Sequence, residues 1–238
     1  MAGLTITPGV LRVASAFPDP PFEVEPDTGF DAELMQRICA ALGLKWQLVK
    51  YEGQDFNGIF EGLGRTYDAV ISGTTVTPSR ERAALFCAAY AEFNQGVAVS
   101  MARHPGVRSV ADLKGMTVGI QRGNTSDAVA RKLLGEGIIA GIRYYPYSAI
   151  RTALNDLAGG AIDAVIKLHP VLSELVRGHA GLSVVCEVPT HERIAIAVAL
   201  GNAALRDGVN AAQEKIMADP WFAETKARWF SVMAGATE

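Results

Sequence analysis

The chain has 238 residues, is 49% apolar, and carries 22 basic against 25 acidic side chains for a net charge of −3. Near-cancelling charge excludes binding through bulk positive potential, as in histone-like or heparin-binding proteins. A 20% charged content with 24 Gly and 11 Pro excludes a disordered or collagenous chain. What remains is a globular chain of one or two lobes, at roughly 150 residues per domain.

The three cysteines, Cys39, Cys87 and Cys186, have no CxxC spacing and cannot all be paired. They read as small buried hydrophobes, with a Cys39–Cys87 bridge left open if the protein is exported. No His/Cys cluster has metal-ligand spacing and there is no Walker loop, so neither metal nor cofactor is expected. The apolar stretch Ile194–Leu200 is strand-sized, and no uncharged apolar run reaches the roughly 18 residues of a membrane span. Met1-Ala2-Gly3-Leu4-Thr5 shows no basic region followed by an apolar core, so no signal peptide is visible there. That does not make the protein cytosolic.

In chain order, Leu11–Ala14 reads as a strand broken by the Pro18–Pro21 cluster. Phe30, Leu34, Ile38, Ala41 and Leu42 recur at helical spacing, and Gly43 closes that helix. Trp46–Val49 alternates as a strand, Ile59–Leu63 looks helical, and Asp68–Ile71 is a short buried strand ending at Ser72-Gly73. The order then returns: strand Met116–Ile120, helix Thr125–Leu134 capped by Asn124 or Thr125, strand Ile142–Tyr145, helix Ile150–Leu157. Asp-Ala-Val-Ile itself recurs at Asp163–Ile166. Two α/β lobes with parallel sheets, each strand–helix–strand–helix–strand, are predicted.

Open α/β sheets hold ligands beyond the carboxyl ends of their strands. The candidate residues are therefore Ser15–Asp19, including Phe17 and Asp19, then Gly73–Arg80, Gln121–Ser126 and Lys167–Pro170. In Gly73-Thr74-Thr75-Val76-Thr77-Pro78-Ser79-Arg80, Gly73 permits a sharp turn and Pro78 suits the first turn of a helix. Thr75 offers a hydroxyl and an N–H, and Arg80 a planar fork that fits a carboxylate. Spacing alone leaves open an ordinary polar turn, with Arg80 and Arg82 on a solvated helix face. Gln121-Arg122-Gly123-Asn124-Thr125-Ser126 is the counterpart turn, where plain helix capping is the alternative.

These residues carry a family resemblance. Gly29-Phe30-Asp31-Ala32-Glu33-Leu34 and Asp68 through Arg80 resemble family 3 solute-binding proteins, as do Phe86–Tyr90, Ser109–Ile120 and Arg228-Trp229-Phe230. The resemblance implies an α/β type II periplasmic-binding-protein fold, two lobes joined by a two-strand hinge. Lobe one would be residues 1–93 plus 192–238 and lobe two 94–191, with crossings near Glu92–Gln95 and Thr190–Ile194. It implies a periplasmic or extracellular monomer that hands a small carboxylate ligand, most often an amino acid, to an ABC transporter permease, with no nucleic acid as partner. In it Arg80 clamps the carboxylate with Gly73 and Thr75, Asn124 and Thr125 close from lobe two, and Phe56 packs on the ligand. Core packing is the plainer account of Phe56.

The sequence departs from that pattern in two places. Amino-acid binders place an acid shortly after the second Asp-Ala-Val strand, and Leu168 stands there, preceded by Lys167. Ala16 stands where an acidic or polar residue often ends the first strand, with Asp19 close by as a substitute. An ammonium buried without a partner costs several kcal/mol, so a carboxylate ligand lacking an ordinary α-ammonium is expected. Glu192 or Asp19 supplying the missing charge is the competing account, and Lys167 is either a second anion holder or a solvated lysine. A cyclohexadienyl-dehydratase-like enzyme on the same fold, using Lys167, His169, Glu192 or Asp19, is one alternative function. The ligand-binding domain of a membrane receptor is another.

Overall fold

The computed structural model describes residues 3–231; the ends of the expected first lobe, 1–2 and 232–238, lie outside them. By its internal contacts the chain divides into two units. One comprises Met1–Glu52, Asn57–Glu92 and Glu192–Glu238, the other Gly53–Phe56 and Phe93–His191. The short return of Gly53–Phe56 to the second unit differs from the expected division, which left those residues in the first.

In the first unit β1 (Val10–Ala16), β2 (Lys45–Tyr51) and β3 (Ala69–Val70) are parallel in the order β2-β1-β3. The carboxyl half of β8 (Leu182–Val198) adds an antiparallel partner to β3, with Ala69 opposite Val198. The sheet is therefore mixed, not all parallel as the strand–helix alternation suggested. Helix α1 (Phe30–Leu42) follows the predicted bounds, because Gly43 adopts the left-handed conformation (φ 67°) and its N–H closes on Ala40 O. Its apolar stripe of Phe30, Leu34 and Ile38 is fully buried. The Phe30 ring meets Phe222 and Phe230 from α7 (Pro220–Trp229) and the residue just after it, with centroids 5.7 and 5.1 Å away. Helix α6 (Ala203–Met217) buries Leu205, Val209 and Ile216.

The second unit repeats the plan. β5 (Thr117–Gln121), β6 (Gly141–Tyr145) and β7 (Ala164–Leu168) are parallel, and the carboxyl half of β4 (Leu85–Ser100) pairs antiparallel with β7. Helices α3 (Ser126–Gly135), α4 (Ile150–Gly159) and α5 (His169–Arg177) cover it. Along β7, Ala164 and Ile166 enter one apolar cluster with Ala130 and Leu133, while Val165 enters another with Leu154 and Leu172. Both faces are covered, so Ala164–Ile166 read as a continuous apolar run instead of alternating.

The repeated Asp-Ala-Val-Ile is a structural repeat. Asp68 accepts from Arg12 N at 2.8 Å and Asp163 from Thr117 N at 2.9 Å, each carboxylate fastening the strand next to its own. The backbone repeats the same link, Asp68 N to Arg12 O and Asp163 N to Thr117 O. The three cysteines are free thiols, so the Cys39–Cys87 bridge is not formed. Burial pushes the Cys39 and Cys87 thiols up to about 12, as expected of packing residues without reactivity.

Candidate functional site

In each unit the first strand lies between the other two parallel strands, so successive connections leave in opposite directions and open a crevice at their carboxyl ends. In the first unit Ser15 at the end of β1 donates to Ile71 O at 2.5 Å, and Ala16 N donates to Ser72 Oγ at 3.0 Å. Gly73 then turns the chain at φ 51°, and the segment after it pairs with β8, Val76 N donating to Arg193 O at 2.8 Å. A Cβ at Gly73 would sit 3.0 Å from the Phe22 ring. The Gly73 N–H donates to Asp31 Oδ2 at 2.7 Å. Gly73 thus fixes the turn, and its N–H is committed within the protein.

The turn feeds α2 (Pro78–Glu81), with Pro78 at its first position and Thr77 Oγ1 accepting from Arg80 N at 3.2 Å. Arg80 is only 5% exposed, so it does not lie on a solvated face, whereas Arg82 does. Its Nη1 donates to Thr75 O at 2.8 Å and its Nε to Asn57 Oδ1 at 3.1 Å. The guanidinium also lies 5.7 Å from the centre of the Phe60 ring. These contacts orient the plane of the fork that a carboxylate would meet. The Thr75 hydroxyl donates to Glu192 Oε2 at 2.6 Å, and Glu192 is itself buried. Asp19 is buried on the loop after β1, while Phe17 is half-buried with Lys50 Nζ 4.9 Å from its ring.

The second unit gathers its candidates into one network. Continuing the β5–β7 register from Gly119 opposite Val165 sets Gln121 beside Lys167. Lys167 Nζ donates to Gln121 Oε1 at 2.7 Å, and Asn124 Nδ2 to the same oxygen at 3.2 Å. Gln121 Nε2 donates to Tyr147 O. Lys167 is 3% exposed and its Nζ lies 5.4 Å from the Tyr147 ring, which packs on Phe56 at 5.2 Å. The solvated-lysine reading is therefore excluded. Phe56 is held in this unit by its N–H, which donates to Arg122 O at 3.2 Å. Thr125 precedes α3, but its side chain makes no cap; its Oγ1 instead accepts from Gln95 Nε2 at 3.0 Å. Helix capping thus fails to account for Asn124 or Thr125.

Leu168 ends β7 and is 9% exposed, at the cap position of α5 without a side-chain cap. His169 opens α5 as a helix-entry residue and lies 3.1 Å from Glu187, outside hydrogen-bond geometry. Burial lowers its pKa, partly opposed by Glu187. Sequence reasoning missed Asn57, Gln95 and Tyr147. Asn57 sits within Asp55-Phe56-Asn57-Gly58, where the aromatic drew attention, and Tyr147 carries no motif at all.

Two α/β units of one strand order, with polar side chains gathered at the strand ends, are the architecture of a type II periplasmic binding protein. Residues 11–232 match the family model of bacterial extracellular solute-binding proteins, family 3, and the chain belongs to that family. Among its relatives is the putative ABC transporter arginine-binding protein 2 of Escherichia coli (strain K12), 29% identical, with 92% of this chain and 90% of that protein covered. An ancestral arginine-binding protein bound to arginine superposes with a TM-score of 0.82 at 30% identity, over 93% of this chain and 98% of that one. An ancestral amino acid-binding protein described as a precursor of cyclohexadienyl dehydratase superposes at 0.81 with 28% identity, over 93% and 96% of the two chains. Among the described residues no helix is long and apolar enough to cross a membrane.

Proposed function

We propose that this chain is the extracytoplasmic solute-binding component of an ABC importer, a periplasmic or extracellular monomer that captures a small carboxylate lacking a free α-ammonium. The observation that carries the ligand class is Lys167. Where amino-acid binders of the family place an acid, this unit presents a buried ammonium and Leu168. Leucine cannot accept a hydrogen bond, and a like charge beside a buried ammonium costs several kcal/mol. A ligand group facing Lys167 and Asn124 is accordingly anionic or a neutral acceptor. Hydroxy acids, dicarboxylates, aromatic carboxylates and N-substituted amino acids have this character. In the flytrap scheme the first unit takes the carboxylate on Arg80, and closure adds Asn124 and Thr125, favoured by as much as the ligand prefers the closed state.

One observation favours a second reading. Thr75 gives its proton to Glu192, so its hydroxyl presents lone pairs beside a buried carboxylate. Both would suit an ammonium, and the relatives and structural neighbours described above are named for binding arginine or amino acids. Binding without chemistry is supported by those names.

Titration calorimetry with a panel of L-amino acids and of organic acids separates these readings. Micromolar binding of an organic or N-substituted acid, with no heat from unmodified L-amino acids, is the expected result. Micromolar binding of an unmodified L-amino acid, lost in Glu192→Gln, would establish the second reading instead.

A further inference from the structure

The loop from Phe17 to Gly29 carries a feature that ligand binding by Arg80 does not explain. Glu23, within that loop, has no exposed surface, and neither carboxylate oxygen has a hydrogen-bond partner. Asp31, in the first turn of α1, is also fully buried. The groups that act on Glu23 are Asp31 from α1, Ser15 from β1 and Asp19 from its own loop, and none of them is basic. Ser15 spends its proton on Ile71 O. Asp31 is faced by Tyr90 from β4, whose hydroxyl donates to Oδ1 at 2.7 Å, by Gly73 N at Oδ2, and by Asp19.

Two buried carboxylates, with no basic side chain named among the described groups that act on them, cannot both be ionised cheaply. The arrangement sorts their roles. Asp31 accepts two hydrogen bonds that favour its charged form, whereas Glu23 has beside it only the Ser15 hydroxyl, whose proton goes to Ile71 O and whose lowering effect is outweighed by burial. Burial is the main cause that raises both, Asp31 to about 7 and Glu23 well above the usual carboxylate range, the charge of Asp31 adding to the latter.

We propose that Glu23 and Asp31 form a proton-retaining carboxyl pair that positions the Gly73 turn, so that the turn leading to Thr75 and Arg80 responds to pH. The linkage is the Asp31–Gly73 hydrogen bond. Gly73 also lies against Phe22, the neighbour of Glu23 in sequence, so the loop and the turn touch at two points. When Asp31 ionises while Glu23 keeps its proton, the anchor on Gly73 strengthens. When Glu23 ionises too, repulsion drives the carboxylates apart and loosens that anchor. The consequence for ligand capture rests on the reading of Arg80 given above, but the carboxyl pair itself does not.

The sign for stability follows from the raised values. An unfolded carboxyl releases its proton near ~4, whereas the folded pair still holds protons at about 7. Across that window the folded state binds more protons than the unfolded one, so stability falls as pH rises.

The test uses the whole chain without ligand. The Gly73 amide is followed by two-dimensional NMR from about pH 5 to about pH 9 in the wild type, Glu23→Gln and Asp31→Asn, and melting temperatures are taken over the same range. The Gly73 amide is expected to titrate near neutral pH in the wild type and in Glu23→Gln, and to be flat in Asp31→Asn. The wild type is expected to lose melting temperature steadily as pH rises, and Glu23→Gln to lose less than about half as much. A Gly73 amide that stays flat in the wild type would overturn the proposal, as would a Glu23→Gln melting series parallel to wild type. The Glu23→Gln series decides alone if Asp31→Asn fails to fold. Neither readout depends on which ligand binds, so loss of the carboxylate reading would leave both outcomes standing.

Discussion

Arg80→Ala is expected to weaken binding of the best carboxylate in the panel by about thirtyfold or more, because truncating one partner of a buried charge pair costs about 2–5 kcal/mol. The substitution also costs stability. Arg80 is buried, and its loss leaves Thr75 O and Asn57 Oδ1 without their donor. Each acceptor left unsatisfied in a buried site costs roughly 1–3 kcal/mol. A fall in melting temperature of several degrees should therefore accompany the loss of binding, at about 2–4 °C per kcal/mol for a chain of this size. Arg80→Lys separates the two effects. It keeps the charge but not the planar fork, so affinity should remain well below wild type even if stability recovers. Wild-type affinity in either variant, measured by calorimetry, would remove the carboxylate from this position.

The largest effect on stability is expected from Gly29→Ala. Gly29 caps α1 at φ 119° and ψ 168°, a region that essentially only glycine occupies at low cost. An added Cβ would collide with Phe22 O and come within 3.1 Å of Glu23 Cα, both backbone atoms that no side-chain rotation can move aside. The neighbouring bonds confine the chain further, Phe30 N donating to Pro21 O at 2.9 Å and Asp31 N to Phe22 O at 3.2 Å. Backbone strain of about 1–3 kcal/mol is the minimum cost, and relief of the collision requires the loop holding Asp19 and Glu23 to shift. A drop of about 10 °C in melting temperature is predicted, on the scaling for chains of this length. A change within about 2 °C, less than 1 kcal/mol on that scaling, would mean that this loop is not held as described.

Much of the fold was legible because local and tertiary preferences agree. Helix α1 could be bounded from its stripe and Gly43 alone, and β7 located, though not bounded, from four residues that repeat an earlier strand. The long strands β4 and β8 were not. Each passes from one unit to the other, so its burial pattern follows two different cores and keeps no single period. The antiparallel pairings they provide, with β7 and β3, are also why the sheets are mixed.

The site was legible to the extent that its residues follow strand ends. Arg80 and Thr75 could be placed from one turn, and Gln121 with Lys167 from two. Their partners could not. Asn57 reaches Arg80 across 23 positions and Thr75 reaches Glu192 across 117, distances over which no spacing rule operates. Glu23 was silent in the sequence for a related reason. A carboxyl among prolines looks like an ordinary loop residue until the fold buries it completely, with Asp31 and Asp19 acting on it.

The most direct test is the structure of this chain with the tightest-binding acid of the panel. A carboxylate accepting both its hydrogen bonds from the Arg80 guanidinium, with an anionic or neutral acceptor group turned toward Lys167, is the predicted result. A carboxylate bound away from Arg80, or a ligand ammonium resting on Glu192, would contradict it.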